Sequence, residues 1–355
     1  MSSRAADPLA SRLPVTVITG FLGGGKTTLL GRLLRHPGMN RAAVIINELG
    51  DVGLDHELVA ASSEQTTLLS NGCLCCTLRT DLQETLRELF VKRRAGEVID
   101  FDRVFVETTG LADPVPVLHT LLTDGFLGAQ YRLNGVVTLV DAVNGMGQLD
   151  TMPEAVKQAA VADRIVITKT DLADAASVER LRRRLEKMNP FAGLITAVNG
   201  ELDPAQLADI GPREISAPSQ DLERWLSKSA AALRESGQGG ALRKPMGMAG
   251  AVHDAAIHAF CLEFDEPFTW DTLNSALQVL AALRGPDLLR MKGIVHVAGE
   301  PGPVVIQGAQ HLFHPPVTLA PRASVDPRSR IVFIVRNIPR ETIAALFSAV
   351  GALVP

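Results

Sequence analysis

Between Pro14 and Ala197 the chain alternates short β-branched runs with stretches whose apolar residues recur at helical spacing. Runs at 15–19, 42–47, 66–69, 103–107, 135–141, 164–168 and 194–197 read as strands. Amphipathic stretches at 27–35, 78–94, 153–162 and 175–188 read as helices. Such alternation predicts an α/β fold, a mainly parallel sheet with helices on both faces. Ligands then bind beyond the carboxyl ends of the strands.

The pattern changes after residue 212. A helical stretch at 221–234 is followed by Gly/Ser-dense segments at 235–240 and 246–250, which read as a linker. Beyond it come a strand at 256–264, a helix at 269–283, strands at 288–297, 304–307 and 331–335, and a helix at 339–350. That order predicts a smaller α+β domain of the split-βαβ or ferredoxin-like kind. The expected organisation is a flexible polar lead over 1–12, a first domain over 13–212, a linker over 213–252 and a second domain over 253–355. No internal repeat is visible.

Composition narrows the function. At 355 residues there is chain enough for two cores, and 46% hydrophobic with 21% charged residues is ordinary for a soluble protein. A formal charge of −4 gives no electrostatic reason to expect nucleic acid or an anionic membrane. Aromatics are only 4%, with a single tyrosine, which argues against a base-stacking platform. No apolar run approaches the ~20 residues of a membrane span. Residues 1–12 lack the apolar core of a signal peptide, so a cytoplasmic location is expected. Three of the four cysteines fall within 73–76, which is wrong for a disulfide framework and suits a reducing compartment.

The segment Gly20-Phe21-Leu22-Gly23-Gly24-Gly25-Lys26-Thr27 satisfies G-x-x-x-x-G-K-[ST] between a strand and a helix. Glycines let successive backbone N–H groups converge on phosphate oxygens, and the helix N-terminus adds positive potential. Gly20, Gly23, Gly24, Gly25, Lys26, Thr27 and the adjoining Thr28 are therefore the candidate phosphate cradle. Lys26 is expected on the β/γ-phosphates and the Thr27 hydroxyl on Mg²⁺.

A second strand-to-loop junction, Val104-Phe105-Val106-Glu107-Thr108-Thr109-Gly110, reads as the Walker B and switch II region. Glu107 would hold Mg²⁺ through water, and the Gly110 N–H would sense the γ-phosphate. A third junction, Thr168-Lys169-Thr170-Asp171, resembles the guanine-reading N-K-x-D. The Asp171 carboxylate can accept from guanine N1–H and N2–H₂, a donor pair adenine lacks, while the Lys169 stem packs on the base plane. Thr168 stands where Asn is usual, and a hydroxyl replaces one amide hydrogen bond but not both.

Cys73, Cys75 and Cys76 follow the run at 66–69 and precede the helix expected from Leu78. Strain disfavours a bridge between neighbouring cysteines, whereas thiolates can converge on Zn²⁺ or a similar soft ion. With no second cysteine pair to complete a tetrahedron, the ion would be exchangeable, which suits transport. Between the phosphate loop and the cysteines, Ile46 to Asp55 is the natural switch I. Its Glu48, Asp51 and Asp55 are candidates for Mg²⁺, the attacking water or the thiolate-bound metal, and the sequence does not divide these roles.

GFLGGGKTTLL, INELGDVGLD, GCLCC, ETTGLADP and TKTD occur in this order at the right intervals. Together they resemble the CobW-like branch of the SIMIBI-class P-loop GTPases, a family of cobalamin-synthesis proteins, zinc-homeostasis metallochaperones and nitrile hydratase activators. The resemblance extends to the second domain through Arg290-Met-Lys-Gly-Ile294 and Gln307-Gly-Ala-Gln-His311. It implies GTP/GDP and Mg²⁺ at the phosphate loop, weak GTP hydrolysis, and Zn²⁺ or Co²⁺ at the cysteines; the candidate catalytic residues are Lys26, Glu107 and Asp51. A metal-requiring client protein is implied as partner, and a homo-oligomer is compatible with the sequence. Many relatives carry a histidine-rich loop before the second domain; here only His253 and His258 occur there. Two rivals remain: a small-molecule kinase, which leaves the cysteines unexplained, and a thiol redox switch with nucleotide as a structural ligand.

Overall fold

The computed structural model describes residues 12–39, 41–47, 66–68, 74–78, 82–207, 210, 257–319 and 328–353. The flexible lead expected before residue 12, Glu48, Asp51, Asp55, Cys73, the helix expected at 221–234, the linker over 213–252 and His253 lie outside the described residues.

The first sheet is built from β1 (Leu13–Gly20), β2 (Ala42–Asn47), β3 (Thr66–Leu68), β4 (Leu74–Leu78), β5 (Arg103–Glu107), β6 (Tyr131–Asp141), β7 (Arg164–Thr168) and β8 (Gly193–Ala197). Its strand order is β3-β4-β2-β5-β1-β6-β7-β8. Every neighbouring pair is parallel except β3 with β4. The helices of this part of the chain are α1 (Lys26–Leu33), α2 (Leu82–Ala95), α3 (Val115–Thr123), α4 (Gly125–Gln130), α5 (Gly145–Thr151), α6 (Pro153–Val161) and α7 (Ala175–Met188).

β1 runs down the middle, between β5 and β6. From Val15 to Gly20 every residue is buried, with side chains alternating between the two covered faces, as a central parallel strand requires. On one face Leu29, Leu30 and Leu33 of α1 pack on Ile18, Val44, Phe105, Val137 and Val166.

Several elements differ from the sequence expectation. β6 begins at Tyr131, four residues before the run at 135–141. Its early part hides a polar residue: buried Asn134 donates through Nδ2 to Thr16 Oγ1 at 3.0 Å. The helix expected from Leu78 starts instead at Leu82, because Leu78 ends β4 beside Asn47 of β2. α3 was masked in the sequence by its prolines. Pro114 and Pro116 sit at its first turn, where a missing N–H costs nothing.

The second sheet contains β9 (Ile257–Phe264), β10 (Leu288–Val295), β11 (Val304–Ala309), β12 (Leu312–Phe313), β13 (Val317–Thr318) and β14 (Ser329–Arg336), with helices of its own, Trp270–Arg284 (α8) and Arg340–Leu353 (α9). All its strand pairs are antiparallel, in the order β12-β11-β10-β14-β9 with β13 on β11. β14 lies between β9 and β10, so β9-α8-β10 is a split β-α-β unit of an α+β domain. Its core, mainly aliphatic, includes a phenylalanine cluster: Phe333 meets Phe260 at 5.6 Å and Phe347 of α9 at 6.2 Å, centroid to centroid.

The contacts divide the described chain into two units. The first comprises the residues up to Gln148, Ala162–Leu181 and those from Ala192 to Ile210; the second comprises Leu149–Val161, Arg182–Phe191 and everything from Ile257. Ala160 of α6 and Phe191 accordingly share a cluster with Leu289, Val332 and Ile334 in the second unit. No helix among the described residues is long and apolar enough to cross a membrane.

Candidate nucleotide site

The carboxyl ends of β1, β5, β6, β7 and β8 form one edge of the first unit. β1 ends on Gly20 at φ 142°, and a Cβ there would stand 2.4 Å from the Leu139 carbonyl oxygen of β6. The loop then turns through Gly23 (φ 74°) and Gly25 (φ 91°), conformations that strongly favour glycine. Gly24 N–H closes the turn on the Phe21 carbonyl at 3.0 Å. No side chain caps α1, so its first N–H groups are left to an anionic ligand.

Lys26 is buried and curls back over its own loop. Its Nζ donates to the Gly20 carbonyl at 2.7 Å and to that of Phe21 at 3.3 Å. Burial holds its pKa below the ordinary lysine value, an effect partly offset by the negative charge of Glu107. Glu107, the last residue of β5, is itself buried and accepts from Thr27 Oγ1 at 3.4 Å. A hydroxyl and a carboxylate side by side are hard oxygen donors of the kind Mg²⁺ takes. After Glu107, Thr108 N–H donates to Ile18 O at 2.9 Å and its hydroxyl to Thr19 Oγ1 at 2.8 Å, which ties the strand end to β1. Gly110 then lies directly on the phosphate loop: a Cβ on it would fall 2.8 Å from the Leu22 nitrogen and 2.9 Å from its Cα.

The other side of the loop meets β7. Buried Thr168 donates through Oγ1 to the Gly24 carbonyl at 2.9 Å. The one hydrogen bond that the hydroxyl can supply in place of an amide thus ties the end of β7 to the phosphate loop. Lys169 follows in the left-handed region at φ 56°, and its Nζ pairs with Asp141 at 2.8 Å. Asp171 lies exposed in the next turn. Thr27 and Thr28 are exposed at the start of α1.

Two features of this edge are missing from the sequence reading. The first is Asp141 itself, the last residue of β6 and only 1% exposed. Burial would raise its carboxyl, but hydrogen bonds from Lys169, Asn144 and the Val143 N–H outweigh that and leave its pKa below the usual carboxylate range. An apolar run ending on a carboxylate is the same signal that marks Glu107, and it was available at 135–141. The second is the turn after β8, with Asn199 at φ 50° and Gly200 at φ 74°. A Cβ on Gly200 would sit 2.8 Å from the Thr28 carbonyl, so this turn rests on the first turn of α1.

The cysteine segment also differs from expectation. Cys75 and Cys76 belong to a strand, β4, not to a loop before a helix. Their backbones pair with Val44 and Ile45 of β2 on one side and with Thr67 and Thr66 of β3 on the other.

A glycine loop bound to three neighbouring strand ends, with lysine and threonine at a helix start, defines a P-loop nucleotide-binding protein. Two family models match the chain: the CobW/HypB/UreG nucleotide-binding domain over residues 14–196 and the cobalamin synthesis protein cobW C-terminal domain over 257–351. The zinc chaperone YjiA of Escherichia coli is 33% identical over 336 residues, 95% of this chain and 98% of its own. The zinc-regulated GTPase metalloprotein activator 1 of Schizosaccharomyces pombe is 35% identical over 204 residues, 56% of this chain and 48% of its own. The crystal structure of Zn(II)-bound YjiA GTPase from E. coli matches with a TM-score of 0.71 at 31% identity, covering 96% of this chain and 99% of that one. This chain belongs to the CobW family of P-loop GTPases.

Thr168→Val deletes the hydroxyl while keeping the shape, and leaves the Gly24 carbonyl without that donor. It is expected to lower stability by about 1–2 kcal/mol and GDP affinity about tenfold, read by thermal denaturation and fluorescent-GDP titration. Phosphate binding needs Lys26 charged. GDP affinity is therefore expected to fall as pH rises through the depressed Lys26 pKa, at lower pH than an ordinary lysine would produce. Lys26→Ala should bind weakly throughout the same titration and show no such fall.

Proposed function

We propose that the chain is a GTP-hydrolysing metallochaperone. It binds Zn²⁺ or Co²⁺ through Cys73, Cys75 and Cys76, and its nucleotide state governs delivery of that metal to a client protein. The observation that carries this reading is a row across the sheet: Cys76 of β4 pairs with Ile45 of β2, and Ile45 pairs with Val106 of β5. The next row runs from Thr77 through Ile46 to Glu107. Adjacent strands lie about 4.8 Å apart, so the Cys76 backbone is about 10 Å from that of Val106, the neighbour of the Mg²⁺ candidate. The strand between them, β2, runs on into the segment with Glu48, Asp51 and Asp55. Zinc is favoured by the relatives, since YjiA and the fission-yeast activator are named for it.

In this reading Lys26 releases the Gly20 and Phe21 carbonyls and turns its ammonium onto the β/γ-phosphates. Loop N–H groups and the start of α1 hold the remaining phosphate oxygens. Thr27 and Glu107 would hold Mg²⁺, which when bound would supply charge neutralisation to the phosphates. Asp51 is the candidate to orient the attacking water, and Asp171 reads guanine while the Lys169 stem covers its ring. No arginine stands in the described loop, so intrinsic turnover is slow. Gly110 and the switch I segment respond to the γ-phosphate, and the change reaches the cysteines by way of the chain that leaves β2.

A titration of Zn²⁺ and Co²⁺ into protein loaded with GDP or a non-hydrolysable GTP analogue tests the coupling. Affinities that differ at least fivefold between the two states are expected, a typical coupling of about 1 kcal/mol or more. Equal affinities would remove the chaperone mechanism. Exchange of Cys73, Cys75 and Cys76 for serine should abolish tight metal binding; reversible thiol oxidation with no nucleotide effect on metal would favour the redox switch.

A further inference from the structure

Asp141 is a buried carboxylate that the proposed mechanism does not use. Its two oxygens have separate tasks. Oδ1 accepts from the Val143 N–H at 2.8 Å and the Asn144 N–H at 3.4 Å, which shapes the turn that follows β6. Oδ2 accepts from Lys169 Nζ at 2.8 Å and from Asn144 Nδ2 at 3.0 Å. The backbone joins the same two loops, since Asp141 is in register with Thr168 and the Ala142 N–H donates to Thr168 O at 2.9 Å.

Lys169 has a flexible four-carbon stem, and a free lysine samples many rotamers. Here both its ends are fixed. The backbone is held in a left-handed conformation next to Thr168, itself bonded to the phosphate loop, and the ammonium is bonded to a carboxylate out of reach of water. A stem fixed at both ends is a rigid apolar bar, ready for the flat face of a purine.

We infer that Asp141 is a positioning residue for nucleotide binding, which anchors Lys169 Nζ so that the lysine stem forms a preformed platform under the base. The inference rests on reading Lys169 and Asp171 as the base-side residues. It assigns to Asp141 ring-face affinity, which every purine shares, and leaves edge recognition to Asp171. Asp141→Asn separates the two tasks: the amide oxygen still accepts from the Val143 and Asn144 N–H groups, while the amide N–H₂ faces the Lys169 ammonium donor to donor.

The test is a double-mutant cycle on fluorescent GDP and fluorescent IDP, whose hypoxanthine lacks the exocyclic amine, with wild type, Asp141→Asn, Lys169→Met and the double variant. Asp141→Asn is expected to weaken both nucleotides equally, about tenfold, and to cost nothing further once Lys169 is Met. Its KM for GTP should rise with kcat unchanged, since a ring-face contact is the same in ground and transition states. Unchanged affinity in Asp141→Asn, or an equal loss in both backgrounds, overturns the inference, because a role confined to the turn after β6 is independent of Lys169. If Asp141→Asn does not fold, Lys169→Met decides. It keeps an apolar stem without the anchor, so an unchanged GDP affinity overturns the inference and a loss supports it. Asp171→Asn is the control for the underlying reading: it should erase the preference for GDP over IDP, and a preserved preference means that the guanine reading has failed, whatever Asp141 does.

Discussion

There is no room for a Cβ where β1 becomes the phosphate loop. Gly20 passes so close to β6 that an added carbon would lie 2.4 Å from the Leu139 carbonyl oxygen. This closeness lets the loop leave the central strand of a sheet packed on both faces and still end on the first turn of α1. Two further contacts hold it: Thr168 of β7 bonds the Gly24 carbonyl, and Gly110, just past β5, lies against the Leu22 backbone. Three strand ends therefore fix one loop. The cost of ordering it is met in folding and not at the moment of binding, which is how preorganised sites gain affinity.

The same rigidity sets what can pass from this edge to the cysteines. Parallel strands in fixed register leave little freedom to slide, because a one-residue slip would turn every buried side chain to the wrong face. A row of paired residues runs from Val17 of β1 through Val106 and Ile45 to Cys76. In the coupling proposed above, the response is carried by the chain that leaves these strands, at Glu107 on β5 and after Asn47 on β2. In sequence both are followed or ended by acidic residues, Glu107 on β5 and Glu48, Asp51 and Asp55 after β2.

Much of this was legible in the residue order, for identifiable reasons. Glycine, lysine and threonine at one spacing can do little but hold phosphate, and strands buried on both faces announce themselves as unbroken β-branched runs. Glu107 could be found because a charge ending such a run has to be explained. Asp141 satisfies the same condition, yet its partner Lys169 lies 28 residues further along, on another strand end, and only the sheet register joins them. Leu74-Cys75-Cys76-Thr77-Leu78 has no period to mark it as a strand; pairing with β2 and β3 makes it one. The Thr168 hydroxyl could have faced base or loop, and the close approach of the Gly24 carbonyl decided it.

Linkage gives the most direct trial of the central claim, that nucleotide and metal share one free-energy balance. If GTP and GDP states differ in metal affinity, metal must change the GTP-to-GDP affinity ratio by the same factor. That ratio, measured with fluorescent GDP and a fluorescent non-hydrolysable GTP analogue in metal-free and Zn²⁺-saturated protein, is expected to shift at least fivefold. A ratio that stays the same with and without Zn²⁺ would contradict the account.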